Sequence, residues 1–285
     1  MAAVQIGKNK KTFGKFRINE IIPEDIRELQ RELAKIRTTN TTNQYIHHLS
    51  HVFNAAIKDE IIKKNPAQVV DPLRRTEQPA RETKHRALTE QETDAFFNAA
   101  VDRKSAYLNH YKMLILTGLR IGELGAITEF DISEKEGVLR VNRTITRDVD
   151  GHFITGNSTK TQSGKREIPL NKNIVATVKA QKRVNKILFD KSPKTLFCSP
   201  NGRMLNPVSV NYEIKQICNH AGIDPFTCHA FRATFATRFI ERRPEDYKTL
   251  QEILGHSNVG ITLNLYTHVM QEKKVKAMEA VEDII

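Results

Sequence analysis

Six side chains in this chain, Arg120, Lys160, His229, Arg232, His256 and Tyr266, combine into one coherent chemistry. Their local settings are Thr117-Gly118-Leu119-Arg120-Ile121-Gly122-Glu123-Leu124, His229-Ala230-Phe231-Arg232 and Leu254-Gly255-His256, with Tyr266 further on. A phenol is a poor nucleophile at neutral pH, since with a pKa near ~10 only about one molecule in a thousand is ionised. It needs a base or a strongly cationic setting. Attack on a phosphodiester builds negative charge on the non-bridging oxygens, and two guanidiniums bind such oxygens bidentately. In that role they do what a divalent ion does at other phosphoryl-transfer sites. The departing 5′-oxygen needs a proton, which a lysine on a hairpin tip can bring. The histidines complete the proton transfer and the phosphate contacts. Taken singly, each residue also fits a bland role: Arg120 a helix-surface arginine, the histidines caps or core residues, Tyr266 a core ring. The conjunction points to the chemistry.

The sequence also predicts the elements that must hold these groups. Gly255 closes one helix and Ser257 or Asn258 caps the next, on which Val259, Leu263 and Tyr266 share a face. Thr89-Glu90-Gln91-Glu92 is a capping box that opens a helix to about Val101. A helix from about Ser105 to Thr117 is broken by Gly118, and a short helix from Leu119 to Ile127 carries Arg120 and Glu123. The period then changes to two, with strands near 137–147, 152–156 and 165–169 forming a three-stranded antiparallel sheet turned at Asp150-Gly151. The tip between the last two strands carries Lys160, with Lys165 as its competitor on the same hairpin. Helices return from Asn171 to Asn185, from Pro207 to Gly222, from Thr227 to Glu241, and from Pro244 to Gly255.

Upstream, residues 1–11 form a basic tail and 12–73 a small helical unit. Pro23 starts a helix with an apolar stripe of Ile26, Leu29, Leu33 and Ile36, and Thr41 or Thr42 caps a second helix bearing Tyr45, Ile46, Leu49 and Phe53. Residues 74–86, RRTEQPARETKHR, contain almost nothing to bury and read as a basic linker. Residues 87–270 make the larger domain, and 271–285 a tail helix with Val275, Met278 and Ile285 on one side.

With 285 residues, 39% hydrophobic and 27% charged, the chain is long and apolar enough to bury a core. A net charge of +12 favours a polyanionic partner. Cys198, Cys218 and Cys228 show neither zinc nor disulfide spacing, which fits reduced thiols in a cytoplasm. No apolar run reaches membrane-span length, and the N-terminus lacks the apolar core of a signal peptide. Phosphate-loop, zincin, nucleophile-elbow and dinucleotide fingerprints are absent, so nothing calls for ATP, zinc, nicotinamide or another cofactor.

An Arg, a His-x-x-Arg, a Gly-His and a late Tyr, in that order, resemble the signature of the tyrosine recombinases, the phage integrase family, over roughly residues 12–280. The resemblance implies a mainly α fold with a small three-stranded antiparallel sheet, comprising a helical core-binding domain and a catalytic domain. It implies Arg120 and Arg232 as the phosphate-binding pair, supported by Glu123, and Tyr266 as the covalent nucleophile. His229 and His256 take the acid–base and hydrogen-bonding positions, and Lys160 that of the hairpin general acid. The expected activity is site-specific DNA recombination through a 3′-phosphotyrosyl intermediate, without metal or ATP. The implied partners are double-stranded recombination sites, three further copies of the chain in a tetramer on DNA, and accessory DNA-bending or directionality proteins. No membrane is involved. The setting is the cytoplasm of a bacterial host, with the gene belonging to the host, a phage or a mobile element. The tail at 271–285 is expected to dock on a neighbouring subunit. Ala233 stands where many relatives have a further histidine. The chain begins almost at the core-binding domain, so either a simpler recombinase or a chain shortened by an arm-binding domain is expected. A type IB topoisomerase-like strand transferase and a catalytically silent DNA-binding regulator are the rival readings.

Overall fold

The computed structural model describes residues 5–6, 11–74, 86–157 and 165–255. The chain divides into two compact units, Met1–Arg81 and Glu82–Ile285.

In the first unit, strands β1 (Gln5–Ile6) and β2 (Lys11–Thr12) pair antiparallel ahead of helices α1 (Pro23–Ile36) and α2 (Thr39–Lys58). Pro23 sits in the first turn of α1, and Asp25 Oδ2 accepts the Ile22 N–H at 2.9 Å, so the helix start is fixed locally. Ile26, Leu29 and Leu33 face inward and meet Ile46 and Phe53 of α2. Ile36, expected on that stripe, is 65% exposed because α1 ends there. The cap of α2 is Thr38, whose Oγ1 accepts the Thr41 N–H at 3.3 Å, not Thr41 or Thr42. Arg37 and Thr38 are extended, so the helix starts as soon as a hydroxyl can receive its free N–H groups, and Thr42 is buried within it. Asn65 closes the unit: its Nδ2 donates to Asn54 Oδ1 at 2.8 Å, and its Oδ1 accepts the Ala67 N–H at 2.9 Å.

The second unit opens with α3 (Glu90–Asp102), α4 (Leu108–Thr117) and the single turn α5 (Ile121–Leu124). Both arms of the Thr89–Glu92 capping box form, at 3.1 and 2.9 Å. Five strands follow: β3 (Ile132–Ser133), β4 (Val138–Val141), β5 (Arg143–Arg147), β6 (Phe153–Asn157) and β7 (Arg166–Pro169). Four helices complete the described part: α6 (Lys172–Leu188), α7 (Pro207–Ala221), α8 (Cys228–Arg242) and α9 (Tyr247–Leu254). The mainly helical fold with small antiparallel sheets agrees with the sequence reading.

The sheet itself is partitioned differently from that reading. The stretch near 137–147 is broken at Asn142, and β4 lies between β3 and β7 while β5 pairs only with β6. The buried positions explain the split. Leu139, Val141 and Ile168 put β4 and β7 against the core, whereas β5 carries mostly polar residues and leaves as a two-stranded arm. The core between the helices is aromatic: Phe96 of α3 lies 5.2 Å from Tyr111 of α4, 5.0 Å from Phe226 and 5.4 Å from Phe231 of α8, ring centre to ring centre. This packing fixes α4 and α8 to each other. A smaller cluster of Ala236, Ile240, Leu250 and Leu254 holds α9 on α8. No described helix is long and apolar enough to cross a membrane.

Candidate active site

Three local devices bring Arg120 to its place. Gly118, at φ +66, ends α4 in a left-handed turn that a side chain would oppose, since an added Cβ would lie 2.6 Å from Phe235 and 2.7 Å from Leu254. Arg120 follows as the extended residue just before α5, rather than inside a helix from Leu119 to Ile127. Gly122 then lets the turn lie against β5, where a Cβ would come within 2.7 Å of Thr144 Oγ1. This is why the motif carries glycine on both sides of its arginine.

Glu123, one turn on, is 3% exposed and holds Arg120 twice. Its Oε2 accepts the Arg120 backbone N–H at 2.8 Å and its Oε1 accepts Arg120 Nη1 at 2.9 Å. The other two acceptor positions are filled by Arg166 of β7, Nη1 to Oε1 at 3.0 Å and Nη2 to Oε2 at 2.8 Å. Burial alone would raise the Glu123 carboxyl; the bonds and charge of Arg166, and then those of Arg120, outweigh it, so the group sits below the ordinary carboxylate value.

Arg232 comes from α8 and is 7% exposed. Its Nη1 donates to the Gly118 carbonyl at 2.7 Å and its Nη2 to the Leu254 carbonyl at 2.8 Å, so one guanidinium ties the end of α4 to the end of α9. Burial, and then the nearby Arg120, push it down to about 9, with Glu123 pulling upward and Arg166 downward. It remains a cation at neutral pH. Three guanidiniums thus surround one carboxylate, leaving a local surplus of positive charge. The Arg120 side chain is 40% exposed, and among the described residues its Nε and Nη2 have no hydrogen-bond partner. Such a group can receive an anion without first giving up an existing bond.

His229 lies one turn before Arg232 on α8 and is exposed. The structure therefore brings Arg120, Glu123 and Arg232 together and sets His229 on the same helix as Arg232. Lys160, His256 and Tyr266 lie outside the described residues, as does the tail at 271–285. Lys165 is described and exposed. Sequence reasoning missed Arg166. The available signal was strand alternation, which puts Arg166 on the same face as the buried Ile168. Among the described residues, one group could hold a metal ion: Asp148, Asp150 and His152, with ligand atoms within 4.8 Å of one another at the β5–β6 turn.

The chain belongs to the phage integrase family, whose sequence model matches residues 86–273. It is a site-specific tyrosine recombinase. Among the proteins it resembles is the ICEBs1 integrase of Bacillus subtilis, 25% identical over 279 residues that cover 96% of this chain and 74% of that protein. A tyrosine recombinase XerC-like protein of Caldanaerobacter subterraneus is 28% identical over 280 residues, covering 90% and 70%. The Tn1549 transposon integrase, solved in complex with transposon right end DNA, has 26% identity and a TM-score of 0.72, covering 96% of this chain and 89% of that one.

Proposed function

We propose that this recombinase cleaves and rejoins double-stranded DNA at its sites through a 3′-phosphotyrosyl intermediate, with Arg120 and Arg232 on the phosphate and Tyr266 as nucleophile. The observation that carries the reading is the arginine cluster around Glu123, a preformed cationic site with the open donors of Arg120 at its edge. In the forward step the Tyr266 oxygen bonds to phosphorus as the bond to the 5′-oxygen breaks. Lys160 protonates that oxygen, and the phenol proton passes to a base, for which His229 and His256 are the available imidazoles. The bond energy is kept in the protein–DNA ester, so rejoining needs no ATP or other cofactor. Exchange of two strands at each of two sites calls for a tetramer on DNA.

In this reading residues 12–73 supply a core-binding domain, 74–86 a basic linker along the DNA backbone, 87–270 the catalytic domain and 271–285 a tail that joins subunits. The net charge of +12 supports a DNA partner. The work is done on DNA in the cytoplasm, with accessory DNA-bending or directionality proteins as further partners. The transposon right end DNA bound by the similar Tn1549 integrase supports the substrate class.

The test is a nicked substrate whose short 5′ fragment diffuses away after cleavage. The unaltered chain should accumulate a covalent adduct, and Tyr266→Phe should bind the same DNA without forming one. Mass spectrometry should map the adduct to Tyr266; an adduct on Tyr212 or Tyr247 would overturn the assignment.

A further inference from the structure

The buried guanidinium of Arg166 has a place in the site that the chemistry above does not use. Its side chain is 6% exposed. Its Nη1 and Nη2 grip Glu123 edge-on, and its Nε donates to the Ile253 carbonyl at 2.5 Å. That carbonyl adjoins the one held by Arg232, at Leu254. Two arginines from different elements therefore fasten consecutive carbonyls in the last turn of α9, two residues before the chain reaches His256. In sequence, Arg166 also follows Lys160 by six residues.

We infer that Arg166 is a positioning residue for strand cleavage: it locks Glu123, and through Glu123 the phosphate-facing guanidinium of Arg120, while pinning the end of α9. This rests on the recombinase reading of the site. Glu123 has about four acceptor positions, and the two arginines fill all of them, so the carboxylate cannot rotate without breaking a bond on each side. Arg120 is thereby held in one orientation, with its outer edge presented. A buried ion pair is a poor device for stability as such, because apolar residues of similar volume are often neutral or better in its place. What a bidentate arginine–carboxylate pair supplies that an apolar pair cannot is a fixed direction. The anchor is also long-range: β7 is placed by its ladder with β4, from Val138↔Pro169 to Val141↔Arg166, so Arg120 is referenced to the sheet rather than to its own short turn.

The experiment compares Arg166→Met, Arg166→Lys and Arg120→Ala with the unaltered chain in single-turnover cleavage of nicked DNA. Each is run on a normal phosphodiester and on a methylphosphonate linkage, which lacks the charge that Arg120 would neutralise. Arg166→Met should bind DNA within about threefold of the unaltered chain and cleave the phosphodiester roughly 10²-fold more slowly, the loss typical of a misplaced catalytic group. On the methylphosphonate its deficit should shrink below about tenfold, as should that of Arg120→Ala. Arg166→Lys, which keeps the charge but not the two-pronged grip, should fall between. Equal deficits on the two linkages, for a variant shown folded by thermal unfolding, would overturn the inference, as would an unaltered rate. Should Arg166→Met not fold, the same comparison of linkages with Arg166→Lys decides. Absence of an adduct with the unaltered chain would instead overturn the recombinase reading, and this one with it.

Discussion

Glu123 and Arg120 are joined at two points, backbone N–H to Oε2 at 2.8 Å and Nη1 to Oε1 at 2.9 Å, although only the acid is buried. The acid is thus a hinge pin for the turn as well as a counter-charge for the guanidinium. Glu123→Gln keeps the shape but replaces an acceptor with an NH2 group facing two arginines. Breaking a buried pair in this way costs about 3–5 kcal/mol, because a charge is left without its partner. Urea unfolding of the variant should show a loss in that range, and its cleavage rate should fall by roughly 10²-fold. A variant within ~1 kcal/mol of the unaltered chain would show that Arg166 and Arg120 find other partners.

Lys160 and Lys165 are separable by the leaving group. Loss of a general acid slows a reaction by about 10²–10⁴-fold. A substrate with sulfur in place of the bridging 5′-oxygen expels a thiolate, which needs no proton. Lys160→Ala should therefore be slow on oxygen and near normal on sulfur, whereas Lys165→Ala should be indifferent to the exchange. If sulfur restores Lys165→Ala instead, the two lysines have been assigned the wrong way round.

The residues that could be read from sequence are those whose role is settled within a few positions. Thr89 with Glu92, Asn171 before α6, Pro207 at the start of α7 and the glycines 118, 222 and 255 all act on their own helix ends, and the structure places each helix end there. Glu123 entered only through the family resemblance, as the acid supporting Arg120 and Arg232, and its direct bonds to Arg120 are a structural finding. What could not be read was partner choice over long distance. Alternation says that Leu139 and Val141 share a face, but not that β4 takes β7 and β3 while β5 takes β6. Nor does it say that Arg166 crosses 43 positions to Glu123. A charge in a short strand, set between Lys165 and Glu167, looks solvated until the opposing carboxylate is known.

The tail from about Gln271 carries Val275, Met278, Val281 and Ile285 at helical spacing, with Lys273, Lys274, Lys276, Glu279 and Asp283 between them. A stripe of that kind needs an apolar partner. Docking on the next subunit in a closed ring would join assembly to the position of Tyr266. Deleting residues 272–285 should then leave single-site DNA binding within a few-fold while abolishing the paired-site complex in a gel shift. Recombination of two sites at the unaltered rate by the truncated chain would show that the tail has no role in assembly.

His110 supplies a pH dependence that has nothing to do with DNA. It is 1% exposed on α4, with Nε2 2.9 Å from the Cys198 carbonyl oxygen. That distance and acceptor require Nε2 to be the donor, which a neutral ring provides. Burial drives its pKa down from 6.5 to about 4, the hydrogen bond to Cys198 opposing only in part. The unfolded chain therefore binds a proton that the folded chain refuses between about pH 6.5 and pH 4. Stability must fall as pH falls through that window, and a displacement of this size is worth on the order of 3 kcal/mol. The Glu123 carboxyl, held below its ordinary value, adds a second loss only at pH values below the usual carboxylate range. His110→Gln keeps a donor for Cys198 and removes the titration. Urea unfolding followed from pH 7 to pH 4.5 should show the unaltered chain losing stability from about pH 6.5 downward and His110→Gln nearly level until the carboxylates begin to protonate. Parallel curves for the two proteins would mean that the ring takes up its proton without leaving the core.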